Sequence, residues 1–164
     1  MALVITFWIS AIVGVLAALG VVMLRNVFRA ALSLVLCLLA VAGIYVTLSA
    51  DFLAAAQILV YVGAISVVII LAILMTRDIT QGSPANRLQI PAILVAVVFL
   101  GIAIFAVTST PWRTSGTPPL FPTTATLATK LLGESGYILP VEIAALLLLS
   151  AVIGAIVLAR EKDK

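Results

Sequence analysis

Phe52-Leu53-Ala54-Ala55-Ala56-Gln57-Ile58-Leu59-Val60-Tyr61-Val62-Gly63-Ala64-Ile65-Ser66-Val67-Val68-Ile69-Ile70-Leu71-Ala72-Ile73-Leu74-Met75-Thr76 lies between two charges, Asp51 and Arg77, and contains none. About 20 consecutive, mostly apolar residues cross the hydrocarbon core of a bilayer as one α-helix. This stretch therefore predicts a transmembrane helix over 52–76. Gln57 and Tyr61, four apart, are expected on one face. Ala56, Gly63 and Ser66 fall on a roughly opposite face of small side chains, which lets another helix come close. Gly63, lacking a side chain that could clash, also eases local departure from α geometry.

Working outward, four more apolar runs obey the same rule: Ala2–Leu24, Val27–Leu48, Leu88–Val107 and Ile138–Ala159. Arg29 sits at the start of the second, where it can snorkel to the headgroups. The polar stretch Arg77–Arg87, with a Gly82-Ser83-Pro84 turn, separates the third from the fourth. The long connection 108–137 carries Pro111, Pro118, Pro119 and Pro122 among Thr and Ser, which rules out a spanning helix there. Within it, Thr124–Leu132 places Leu127, Ala128 and Leu131 on one helical face, with Gly133 as a stop, and predicts a short helix on the membrane surface.

The fold class is all-α: one polytopic membrane domain, 1–164, with five transmembrane helices. Composition requires it. With 65% hydrophobic and 9% charged residues, and a mean hydropathy of +1.38, the chain has more apolar surface than a soluble core of this length can hide. The first run is not expected to be a cleaved signal peptide, because it lacks a positive leader and its basic residues come after it.

Orientation is set by the basic residues. Arg25, Arg29, Arg77, Arg87, Arg160, Lys162 and Lys164 fall on one side; Arg113 and Lys130 fall on the other. This places the C-terminus in the cytoplasm and the N-terminus outside. The net charge of +3 is thus spread between spans, and nucleic-acid binding is not expected.

The chain has one cysteine, Cys37, and no histidine, so it forms no internal disulfide, and no zinc, haem or iron–sulfur site is expected within it. No nucleophile–base set or phosphate loop is present, so no catalytic residue is expected. Two carboxylates are candidate polar stations. Asp51 lies at the outer mouth of the third helix, and Glu142 about 6 Å inside the fifth at 1.5 Å per residue. No lysine lies inside a span, which argues against an antiporter-like pumping unit. In the fifth helix Ser150 and Gly154, like Ala151 and Ala155, are small residues four apart, suited to close packing.

The stretch Asp51–Ile65, with its Gln57-Ile58-Leu59-Val60-Tyr61-Val62-Gly63-Ala64 core, resembles the third helix of the J-type membrane subunit of respiratory complex I, the proton-pumping NADH:quinone oxidoreductase. It is likewise similar to the G subunit of the photosynthetic relative. Tyr137–Ala144 and Ile153–Arg160 resemble that family's last helix, and Arg25-Asn26 with Ala30-Ala31-Leu32-Ser33 its first cytoplasmic turn. Val27 stands where the family often has Pro, and Arg29 where His is common.

The resemblance implies a membrane-arm subunit beside the quinone-site subunit, a small three-helix subunit and the antiporter-like subunits, in a cell or thylakoid-type membrane. NADH or ferredoxin, FMN, iron–sulfur clusters and quinone would be bound by those other subunits and none by this chain. It also implies a π-bulge near Gly63; such a bulge inserts one residue and rotates the remainder of the helix by about 100°. Tyr61, Gly63 and Gln57 would then form a conformational switch that couples quinone reduction to proton translocation. The alternatives are an inert spacer or assembly subunit of the same complex, and a small standalone transporter. A transporter would normally show an internal repeat and a midplane site.

Overall fold

A computed structural model describes residues 1–76, 89–112, 123–133 and 136–160. The Gly82-Ser83-Pro84 turn, Arg77, Arg87, Arg113, Lys162, Lys164 and the prolines 118, 119 and 122 lie outside the described residues. Among those described, all regular structure is helical. Helix α1 is Ala2–Met23, α2 Val27–Thr47, α3 Asp51–Met75, α4 Gln89–Ser109, α5 Thr123–Leu132 and α6 Ile138–Ala159. Five of these, all but α5, are long and apolar enough to cross a membrane. The expected spans thus agree to within two residues at each end.

The chain forms two compact units, Met1–Pro119 and Leu120–Lys164. In the first, α1, α2 and α3 pack in succession. The α1–α2 pair is antiparallel, and small residues hold it together. Gly14 faces Ala40, Gly43 faces Ser10, and Gly20 faces Ser33. The Ser33 hydroxyl donates to the Ala17 carbonyl at 2.8 Å. Gly14, Ala17, Ala31, Ala40 and Ala42 are buried. Lipid gives helices little hydrophobic reason to associate, so close approach and dispersion take over, and residues without bulk permit it. An interhelical hydrogen bond of this kind contributes about 0.6 kcal/mol.

Two short connections turn the chain back. Asn26 caps α2, its side chain accepting from the Arg29 N–H at 3.1 Å, with Val27 at the first helical position. At the other end Ser49 takes φ 61°. The Ala50 N–H reaches the Tyr45 carbonyl at 2.9 Å and the Ser49 N–H reaches Val46 at 3.1 Å. These two bonds are the Schellman pattern, which satisfies end-of-helix carbonyls and asks for a left-handed residue, usually glycine.

From Ile90 to Ser109, α4 buries no residue against the rest of the described chain. In the second unit α5 packs on α6. Thr123, Leu127 and Leu131 are its partly covered positions, whereas Ala128, expected on the same face, is exposed. The helix stops at Leu132, and the Gly133 N–H bonds the Thr129 carbonyl at 2.9 Å.

Candidate functional site

Helix α3 changes character along its length. Asp51–Ala56 is α-helical, Gln57–Ile65 is π-helical, and Ser66–Met75 is α-helical again. A π turn is closed by an N–H that reaches back five residues instead of four, whereas the Gln57 N–H at the start of the segment still reaches Leu53 and Ala54. The Ser66 N–H closes the segment on the Tyr61 carbonyl, and the Ser66 hydroxyl donates to the same oxygen at 2.7 Å. Gly63 lies inside it. A Cβ there would stand 3.3 Å from the Ile58 carbonyl oxygen, tight against the preceding wide turn. A side chain at this position would crowd the π backbone, which is the physical reason for a glycine here.

The π geometry overturns the expected faces. Nine residues separate Gln57 from Ser66, two and a half turns of an α-helix, which would set them on opposite sides. With the turns widened, nine residues make about two turns. Both are therefore buried, at 8% and 2% exposure, while Tyr61 is 49% exposed and Gly63 is also on the open side. The Gln57 amide Nε2 donates to the Leu38 carbonyl of α2 at 3.3 Å. Ala54 is buried one turn earlier. Gln57 thus pins the start of the π segment to its neighbour, and Ser66 clasps its end.

The expected site residues fall in three places. Gln57, Tyr61 and Gly63 share the π segment. Asp51 is half-buried in the first turn of α3, where its charge suits the positive end of the helix. Glu142 is exposed in α6, within the second unit. Ser66 is the residue that spacing at an α period misassigned. A lone serine in an otherwise apolar run was the available signal. Cys37 is half-buried on α2.

Comparison with known proteins decides the family. Residues 17–158 match the model of NADH-ubiquinone/plastoquinone oxidoreductase chain 6. The chain belongs to that family. It is similar to NAD(P)H-quinone oxidoreductase chain 6 of Synechocystis sp., 42% identical over 161 residues, covering 95% of this chain and 80% of that one. The organellar chromatophore subunit 6 of Paulinella chromatophora is 42% identical over 153 residues, with 90% and 73% covered. The F(420)H(2) dehydrogenase subunit J of Methanosarcina mazei is 34% identical over 156 residues, with 94% and 89% covered.

The family match runs from the last third of α1 through α2, α3 and α4 and nearly to the end of α6. The chain is thus a multi-pass membrane protein and a subunit of the quinone-oxidoreductase class, of chain-6 or J type. The relatives' names differ in electron donor, NAD(P)H in two and F(420)H(2) in the third. The family therefore does not fix the donor for this chain.

Proposed function

We propose that this chain helps couple quinone reduction to proton translocation in the membrane arm of a proton-translocating oxidoreductase, through interconversion of π and α forms in α3. The observation that carries the reading is the nine-residue π segment around Gly63, closed by hydrogen bonds that span five residues. A π segment inside a long α-helix is a second packing of the same residues, not far in energy from the first. Going from one to the other turns the helix beyond it, moving side chains without moving the helix axis. A ligand or redox event that favours one form shifts the population.

In this reading the chain performs no redox step. NADH or ferredoxin, FMN, the iron–sulfur clusters and quinone belong to other subunits. The quinone-site, three-helix and antiporter-like subunits are its neighbours, and Glu142 and Asp51 are polar stations on a proton path. Seven of the nine basic residues on one side set the C-terminus in the cytoplasm and the N-terminus outside. The membrane is a cell membrane or one of thylakoid type.

The test is Gly63→Val in the assembled complex, monitored as quinone reduction together with proton uptake. Impaired coupling is expected. Unchanged pumping by a fully assembled complex would sink the switch and leave the chain a spacer.

A further inference from the structure

Glu142 is the carboxylate set deepest in a span: it lies four residues beyond Ile138, about 6 Å from that end of α6 at 1.5 Å per residue. The helix keeps one period from Ile138 to Ala159. Ile138 four residues before, and Leu146, Leu149 and Ile153 four, seven and eleven after, therefore share the face of Glu142. All five side chains are exposed. Among the described residues, α5 is the element that packs on α6. It covers a flank instead of this face, since the partly covered position of α6 is Val141, about 100° round the helix from Glu142. Lys130, in the last turn of α5, is itself exposed, and among the described residues no hydrogen bond or ion pair closes on the Glu142 carboxyl.

A carboxyl at this depth meets lipid, water or another protein. Lipid offers no donor, so a charged form there loses its solvation and a neutral one is left unmatched. Ionisable residues within spans accordingly face protein or a water-filled cavity. The isoleucines and leucines on either side of Glu142 do not line a wet cavity; they suit packing against an apolar surface. The complement of one carboxyl in an apolar stripe is one donor in another apolar stripe. The chain is a subunit by family, so helices of other subunits are there to supply it.

We infer that the Glu142 face of α6 is the seat of a transmembrane helix of another subunit, apolar along its length and carrying one hydrogen-bond donor side chain, cationic or hydroxyl, level with Glu142. The inference stands apart from the α/π switch in α3, and goes beyond a polar station by naming what the carboxyl meets. The donor fixes register. Two apolar helices slide past one another at little cost, whereas a slip of one turn, about 5.4 Å, strands both polar groups in hydrocarbon.

The experiment uses the intact complex in its own membrane. It is treated in parallel with dicyclohexylcarbodiimide, which partitions into lipid, and with a water-soluble carbodiimide plus glycine ethyl ester. Modification of Glu142 is read by mass spectrometry, and both reactions are repeated after the complex has been dissociated in detergent. The expected result is at least tenfold less modification by either reagent in the complex than after dissociation. A zero-length cross-link from Glu142 to a lysine of another subunit supports the inference too. Ready modification by dicyclohexylcarbodiimide in the intact complex shows lipid on this face and overturns it. Coupling to glycine ethyl ester in the intact complex shows water there, which overturns it and leaves the polar station standing. A cross-link to Lys130 overturns it because the donor is then in this chain. Slow reaction both before and after dissociation overturns it as well, since no partner is then doing the shielding.

Glu142→Leu and Glu142→Gln add a second reading, in the amount of chain recovered in assembled complex. Leucine suits lipid better than a carboxyl does, so a lipid-facing position predicts no loss. Docking predicts a several-fold fall for leucine. Glutamine as poor as leucine identifies the donor as cationic, and glutamine as good as glutamate identifies it as neutral, because the amide oxygen still accepts. Recovery of the leucine variant equal to the parent overturns the inference.

Discussion

Alanine at position 63 is the smallest perturbation that separates the two forms of α3. Its Cβ would lie 3.3 Å from the Ile58 carbonyl oxygen, just inside the 3.4 Å at which ordinary contact begins. The oxygen must give by a few tenths of an ångström. In the α form the same Cβ meets a normal helical backbone, where alanine is the most favourable residue. The bias toward α is then about 0.5–1 kcal/mol, a two- to five-fold change in the ratio of forms. Valine adds two methyl groups on the same shoulder and is confined to one χ1 well in a helix. Its bias is about 2 kcal/mol, roughly thirtyfold. The assay is quinone reduction and proton uptake by membranes holding equal amounts of assembled complex, with the fraction of π-form particles counted by electron cryomicroscopy. Coupled activity should fall in the order glycine, alanine, valine, in step with the π fraction. A valine complex that has lost its π segment and still pumps at the parental rate refutes the reasoning.

Other substitutions test the scaffold. Ser49→Gly relieves a left-handed serine and should stabilise the α2–α3 turn by about 1 kcal/mol, seen as a higher thermal midpoint of the solubilised complex. Gly20→Val drives a side chain into Ser33 and breaks its bond to the Ala17 carbonyl. It should lower the amount of chain recovered in the complex, whereas Gly14→Ala, whose Cβ would make ordinary contact with Ala40 at 3.5 Å, should not. Gly154→Ala meets no atom of the described residues within 4 Å. Loss of assembly in that variant locates a partner helix against α6, and normal assembly places lipid there.

The spans were legible because their signal is length and the absence of charge, and neither depends on which way a side chain points. Faces were legible only where the helix keeps one period. Across Gln57–Ile65 the period changes, so counting at 3.6 residues per turn put Ser66 opposite Gln57 when the two share a side. Gly63 was readable as a place where α geometry yields, but the extent of the π segment was not, since its far end is held by a hydroxyl choosing among carbonyls. The turn at Ser49 left no trace either, because a serine in a position that favours glycine carries no mark of its conformation. The close packing of α1 on α2 went unread, because which glycine meets which serine is a matter of register between helices.

Helix α4, which from Ile90 to Ser109 is not buried by any of the described residues, has a consequence for the life of the protein. A chain made without its neighbours keeps an unfinished surface, and its free energy of folding is inseparable from that of assembly. In cells, small differences in stability change a protein's abundance several-fold through proteolysis of the unfolded fraction. Overexpressing this chain alone should therefore yield less surviving protein than co-expressing it with the rest of its complex, as read by immunoblot of the membrane fraction.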